Sequence, residues 1–131
     1  MIVLDTHAWV WWVSSPELLS SPVRRAIDDA GRSNELCVST ISALEVAMLV
    51  QKGRLSLSLD VRDWIARCEA LPFITFVPLT NAIAVESVRL PDFPHPDPAD
   101  RIIVATAMSL GARLVTKDEK IALYPHVTTI W

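Results

Sequence analysis

"LCVSTISALEVAMLVQKG", Leu36 to Gly53, sets two hydrophobic rhythms back to back. Leu36-Cys37-Val38-Ser39 is a short continuous apolar run, the pattern of a strand covered on both faces. Ile41, Ala43, Leu44, Val46, Ala47, Met48 and Leu49 then coat a helix with apolar surface almost all round. Such a helix is expected to be buried. It stops at Gly53, with Gln51 and Lys52 in its last turn. A buried strand feeding a buried helix is the unit from which parallel α/β sheets are built. One residue breaks the pattern. Glu45 sits in the middle of the apolar helix, and an unpaired carboxylate in an interior is costly unless it is partnered or neutralised.

The same alternation continues in both directions. Ile2-Val3-Leu4, ended by Asp5, reads as a buried strand, and Thr6 to Val13 as a short helix carrying Trp9, Trp11 and Trp12. Those three indoles cover more than one helix face, so at least one is expected to be partly exposed. Ser21-Pro22 reads as an N-cap and a proline at the first helical position, opening a helix that ends near Gly31. Asp60 caps a helix through Ala70, with Val61, Trp64, Ile65 and Cys68 as its apolar stripe. Ile74 to Leu79 is a third strand and Asn81 to Leu90 a helix. Pro91, Pro94, Pro96 and Pro98 stiffen a loop whose backbone lacks the amides to join a sheet. Asp97-Pro98 opens a helix to Leu110, stopped by Gly111, with Ala99, Ile102, Ile103, Thr106, Ala107 and Leu110 facing inward. Arg113 to Thr116 is a fourth strand, Asp118 to Leu123 a short helix, and Val127 to Ile130 a last strand. The fold class is α/β, with a parallel sheet covered on both faces.

A chain of 131 residues, 51% hydrophobic and 21% charged, is expected to form one domain over residues 1–131. It can bury roughly two-thirds of its unfolded surface. No apolar stretch reaches the ~18 residues of a membrane span. The opening Met1-Ile2-Val3-Leu4-Asp5 lacks the basic flank of a signal peptide. Cys37 and Cys68 have apolar neighbours and read as buried free thiols of a cytoplasmic protein. The absence of any CxxC or Cys/His spacing argues against zinc. A net charge of −3 argues against a broad basic nucleic-acid footprint, though not against an enzyme whose own metal ions attract phosphates.

Three further acids fall at telling places. Asp5 ends the first strand, Asp100 lies in the first turn of the helix after the proline loop, and Asp118 follows the strand ending at Thr116. In a parallel sheet, strand C-termini and the helix N-termini that follow share one edge, where ligands bind. Asp5, Asp100 and Asp118 can converge there, and Glu45 can reach the same point from its helix. Singly, each has a plainer role. Asp5 and Asp118 could cap helices, Asp100 could complement a helix dipole, and Glu45 could pair with a buried arginine. One common cause is more economical than four separate ones. Clustered carboxylates need cations, and oxygen ligation without His or Cys selects Mg²⁺ or Mn²⁺.

"VLDTHAWVWW", "ISALEVAML", "HPDPADRIIVATA" and "LVTKDEKI" together resemble the four acidic motifs of PIN-domain nucleases, most closely the VapC-type toxins of bacterial toxin–antitoxin pairs. The motifs occur in the family's order and span nearly the whole chain. The resemblance implies a three-layer α/β/α sandwich with a mainly parallel sheet of about five strands. It also implies Mg²⁺-dependent cleavage of RNA phosphodiester bonds that leaves a 5′-phosphate. Carried over residue by residue, the metal-binding and catalytic acids are Asp5, Glu45, Asp100 and Asp118. Asp97 matches an acid of one subgroup and reads first as a helix cap. Thr6 and Thr116 could hold carboxylates by hydrogen bonds, while His7 and His95 read as structural. The partners implied are an RNA substrate, a VapB-like antitoxin and a second copy of the chain in a homodimer.

Other classes fit less well. A dehalogenase-type phosphatase wants a second acid two residues after Asp5, where His7 stands. A receiver-type phosphoacceptor wants an Asp near the third strand, and Ile74 to Leu79 holds none. The remaining alternative is a catalytically inactive PIN-like module that binds protein or RNA. Such a module is expected to have lost at least one of the four acids.

Overall fold

The computed structural model describes residues 1–131. Five strands, β1 (Ile2–Leu4), β2 (Leu36–Ser39), β3 (Ile74–Val77), β4 (Arg113–Val115) and β5 (Thr129–Ile130), form one sheet in the order β3-β2-β1-β4-β5. Every pairing is parallel. The chain winds outward from β1 to β3 on one side, then returns to place β4 on the other flank of β1. The β1/β4 boundary is therefore the point at which the winding reverses, where parallel sheets open a crevice. In register, Leu4 lies beside Val115, so Asp5 and Thr116 leave the sheet side by side.

Alternation along the strands divides the interior into two apolar layers. Ile2, Leu4, Leu36, Val38 and Val115 face a cluster with Ala8, Trp9, Val23, Ile27, Val46 and Trp64. Val3, Cys37 and Leu114 face the opposite cluster with Ile83, Phe93, Ile102, Ile103, Ala107 and Ile121. The first layer carries helices α1 (Thr6–Ser14), α2 (Ser21–Arg32), α3 (Ile41–Gln51) and α4 (Val61–Glu69). The second carries α5 (Asn81–Val88), α6 (Pro98–Leu110) and the short α7 (Glu119–Ala122). The three-layer α/β/α expectation holds, with a sheet that is wholly parallel. No helix is long and apolar enough to cross a membrane. Cys37 and Cys68 are free and buried.

Local chemistry sets the boundaries. Asp97 caps α6 through its side chain, Pro98 occupies the first turn, and Gly111 ends the helix in a left-handed conformation with φ of 61°. Asp60 caps α4 as expected. Five expected bounds shift. The cap of α2 is Ser20, one residue before the expected Ser21, with its hydroxyl accepting from the Val23 N–H. α5 ends at Val88, short of Leu90, because the residue before Pro91 is disfavoured in helical conformation. β3 stops at Val77 and β4 at Val115, opposite the ends of their neighbours at Ser39 and Leu4, and β5 begins only at Thr129, opposite Leu114.

The largest correction concerns α3. Its apolar surface predicts burial all round, yet only Ser42 and Val46 are buried, while Leu44 and Met48 are 54% and 45% exposed. α3 packs against α6, α1 and α4, and its outer face is left open. The helix is apolar on that face without an interior of its own to fill.

Candidate functional site

Asp5 is held by the turn from β1 into α1. Its Oδ1 accepts the Ala8 N–H at 2.8 Å, and its own N–H donates to the Val115 carbonyl at 3.0 Å, tying it to β4. Asp118 caps α7 in the same way, with Oδ1 accepting from the N–H groups of Lys120 at 2.9 Å and Ile121 at 3.0 Å. Its own N–H donates to Thr116 Oγ1 at 3.1 Å. Both acids thus have the capping role that the plainer reading assigns. That role uses Oδ1 of each, and both residues still line the cleft.

Glu45 has no arginine partner. Its carboxylate accepts the hydroxyl of Thr6, whose Oγ1 lies 3.0 Å from Ser42 Oγ. Thr6 and Ser42 are both buried, so this chain of hydroxyls fixes the glutamate from inside the fold. Asp100, in the first turn of α6, makes no side-chain hydrogen bond of its own. Asp97 Oδ1 accepts from the Ala99 N–H at 2.9 Å, the cap expected of it. His95 Nε2 comes within 2.9 Å of Asp118 Oδ2 as an electrostatic contact, without an aligned hydrogen bond. Arg101 holds the loop that brings His95 there, its Nε donating to the His95 carbonyl at 3.1 Å and its Nη1 to the Ser87 carbonyl at 3.2 Å.

All four acids line one cleft of about 600 Å³ at the β1/β4 edge, together with Thr6, His7, Trp11, Asp97, Thr116, Lys117 and Glu119. Six carboxylates therefore face a single lysine. The protonation equilibria record that imbalance. Asp100 is pushed up to about 6 by burial and then by the charges of Asp97 and Glu45. Glu45 is raised by burial, with the Thr6 hydrogen bond opposing and the charges of Asp97 and Asp5 adding. Asp5 is raised by burial, against the pull of the Thr116 hydroxyl and the Ala8 N–H. Asp118 differs. Burial pushes it up, but the Ile121 N–H, His95 and the Lys120 N–H together draw it below the usual carboxylate range.

An all-oxygen, uncompensated set of this kind suits a hard divalent cation. No three His, Cys, Asp or Glu side chains are drawn together closely enough to grip an ion as they stand. Like charges repel across the cleft, and the capping bonds hold the Oδ1 atoms of Asp5 and Asp118 against their helices.

Two contributors escape a reading of motifs. Ser42, three residues before Glu45 and on the same helix face, extends the Thr6 hydrogen-bond chain. Lys117, between Thr116 and Asp118, is the one cation lining the cleft. Its place in the sequence, at a strand end between two candidate site residues, was the available signal.

Residues 2–127 match the PIN domain family. The chain belongs to it. Within the PIN family, the chain is 36% identical over 132 residues to "Ribonuclease VapC22" of Mycobacterium tuberculosis, covering 99% of this chain and 98% of that protein. It is therefore a PIN-domain protein of the VapC type. Solved structures share the PIN fold at lower identity. VapBC2 from Rickettsia felis, bound to a promoter DNA fragment, superposes with a TM-score of 0.72 at 16% identity, covering 99% of this chain and 98% of that one. FitAcB from Neisseria gonorrhoeae gives 0.71 at 19%, covering 100% and 97%. A toxin–antitoxin complex from Klebsiella pneumoniae gives 0.65 at 21%, covering 98% and 97%.

Proposed function

We propose that this PIN domain is a metal-dependent endoribonuclease, the toxin of a toxin–antitoxin pair, whose catalytic and metal-binding residues are Asp5, Glu45, Asp100 and Asp118. The observation that carries this reading is the gathering of six carboxylates against one lysine in a single cleft, with Asp100 raised to about 6. A protein keeps such mutual repulsion where a cation relieves it. Mg²⁺, or Mn²⁺ in its place, polarises a phosphodiester and activates water when bound.

The chain's own groups prepare the site. Thr6 orients Glu45 by donating to its carboxylate, and Ser42 supports Thr6. The capping bonds fix Asp5 and Asp118 at the starts of α1 and α7. Asp97 starts α6 and so sets the position of Asp100 one turn in. Thr116 lies beside Asp5 and takes the Asp118 N–H. No side-chain nucleophile is required of this arrangement.

Partners follow the same reading. A VapB-like antitoxin is supported by the solved toxin–antitoxin neighbours and by an open cavity of about 530 Å³ lined by Val13, Leu57, Leu59, Trp64 and Leu71. Homodimerisation is supported by the exposed Leu44 and Met48 of α3 and the exposed Val85 and Val88 of α5. Buried, unpaired Cys37 and Cys68 suit a reducing cytoplasm.

Incubating the purified protein with single-stranded and structured RNA tests the reading. Cleavage is expected in Mg²⁺ or Mn²⁺, to stop in EDTA, and to return when metal is restored. Cleavage that continues undiminished in EDTA overturns the metal mechanism. RNA binding without cleavage in either metal leaves the inactive-module alternative.

A further inference from the structure

Trp9 and Trp11 stand two residues apart on α1 and do opposite things. Trp9 is fully buried, its ring centroid 4.8 Å from that of Trp64 and 5.5 Å from that of Phe76. Trp11 is partly exposed and lines the acid cleft. Like Trp131, it packs against the first core layer while remaining only partly buried. His7, one turn earlier, lies 5.7 Å away centroid to centroid and is exposed. Trp131 meets Trp11 edge to face, also at 5.7 Å.

Lys117 joins this group. Its Nζ sits 5.8 Å from the Trp11 ring centroid and 5.9 Å from that of Trp131. In a cleft lined by six carboxylates it forms no ion pair with any of them. The two rings hold the ammonium by cation–π attraction at the edge of the cleft, away from the acids. A strand carrying phosphates would meet repulsion from the acids, and a chain of net charge −3 offers no broad basic surface to offset it. Holding such a strand calls for contacts that do not depend on charge, together with a cation at the border. Aromatic rings beside a lone lysine supply both.

We propose that Trp11, Trp131 and Lys117 form a nucleobase-stacking platform at the mouth of the acid cleft, which holds one nucleotide of a single-stranded RNA beside the phosphate that is cut. The inference rests on the ribonuclease reading above and adds the means by which that cleft holds its substrate. The base stacks on the exposed side of Trp11, with Trp131 bracing the ring from its edge. Lys117 meets the flanking phosphate. Recognition by this platform is tolerant of sequence, because every base presents a π-face, and favours purines over pyrimidines through stacking area.

The test measures binding of fluorescein-labelled single-stranded oligoadenylate and oligouridylate to the full chain in EDTA, and separately steady-state cleavage in Mg²⁺. Trp11→Ala is expected to weaken binding by about five- to a hundredfold, and Trp11→Phe to restore most of it. The loss should fall on KM more than on kcat, and the preference for oligoadenylate should shrink. Lys117→Gln should lower the salt dependence of binding by roughly one phosphate contact. Trp11→Phe and Lys117→Gln keep the test decisive should Trp11→Ala fold poorly. If the wild type cleaves RNA while Trp11→Ala, Trp131→Ala and Lys117→Gln leave both Kd and KM unaltered, the platform is wrong and the ribonuclease reading stands. If the wild type neither binds nor cleaves RNA, both fall. If the substitutions release a protein partner and spare RNA binding, the surface is a protein contact and the proposal is overturned.

Discussion

The two ends of the sheet carry similar amounts of charge and treat it differently. At the end where the strands begin, a cavity of about 480 Å³ is lined by Met1, Arg25, Asp29, Glu35 and Arg113, with both signs present. There the Met1 ammonium lies 3.4 Å from Glu35, and Asp29 pairs with Arg32 at 2.7 Å. At the other end, the cleft of about 600 Å³ gathers six carboxylates and one lysine that pairs with none of them. Neither a cavity nor a count of charges separates the two. What separates them is sign left uncompensated, which a fold has no structural reason to maintain.

The strongest way to break that contrast is to remove one of the like charges. Asp100→Asn should lower RNA cleavage in Mg²⁺ by at least about a hundredfold, the scale on which groups around a metal affect activity. In EDTA at neutral pH the same variant should melt at the wild-type temperature or above it, since one source of repulsion is gone. A marked drop in melting temperature would make Asp100 a structural residue and remove it from the site.

A smaller effect sharpens the comparison through pH. Asp100 holds its proton to about 6 in the folded protein against 3.8 ordinarily, and Glu45 and Asp5 are raised as well. A raised folded pKa means that the native state binds the extra proton, so stability is gained below that pKa and lost as pH rises through it. Metal-free protein should therefore be more stable near pH 5 than near pH 7.5, by about 1 kcal/mol from Asp100. Asp118, lowered, works in the opposite sense, but its contribution is lost only below the ordinary carboxylate range. Urea denaturation in EDTA at the two pH values checks the slope, and saturating Mg²⁺ at the higher pH should flatten it. A midpoint that falls on acidification over this range contradicts the charge crowding.

The smallest effect belongs to the opposite edge. Glu35→Gln, which removes one partner of an exposed pair, should cost less than about 1 kcal/mol and leave RNA cleavage alone. A large loss of activity from that change would mean the strand-entry edge also serves the reaction.

Much of this was legible along the chain because it is local. A strand such as Leu36–Ser39 needs only a short apolar run, and α6 carries its own start and stop in Asp97, Pro98 and Gly111. The convergence of Asp5, Glu45, Asp100 and Asp118 on one cleft followed from parallel strands sharing an edge. Other features were not local. An apolar residue states that something covers it without saying whether that is its own interior or another molecule, so Leu44 and Met48 read as core and stand exposed. The approach of His95 to Asp118 depends on Arg101 folding the proline loop back, a contact no spacing encodes. Lys117, next to an aspartate, has the sequence pattern of a solvated pair, whereas the fold sets it over two indoles.

Asp5 and Asp118 each line the cleft and each begin a helix with one carboxylate oxygen. Asparagine begins helices about as well as aspartate does, through the same oxygen, and carries no charge. Under the ribonuclease reading proposed above, a lineage can exchange Asp for Asn at these two positions, disarm the cleft and still inherit a sound protein. Whatever partner binds that protein would go on binding it. On that reading, loss of activity and loss of structure are separable events, and a disarmed descendant persists as a folded decoy.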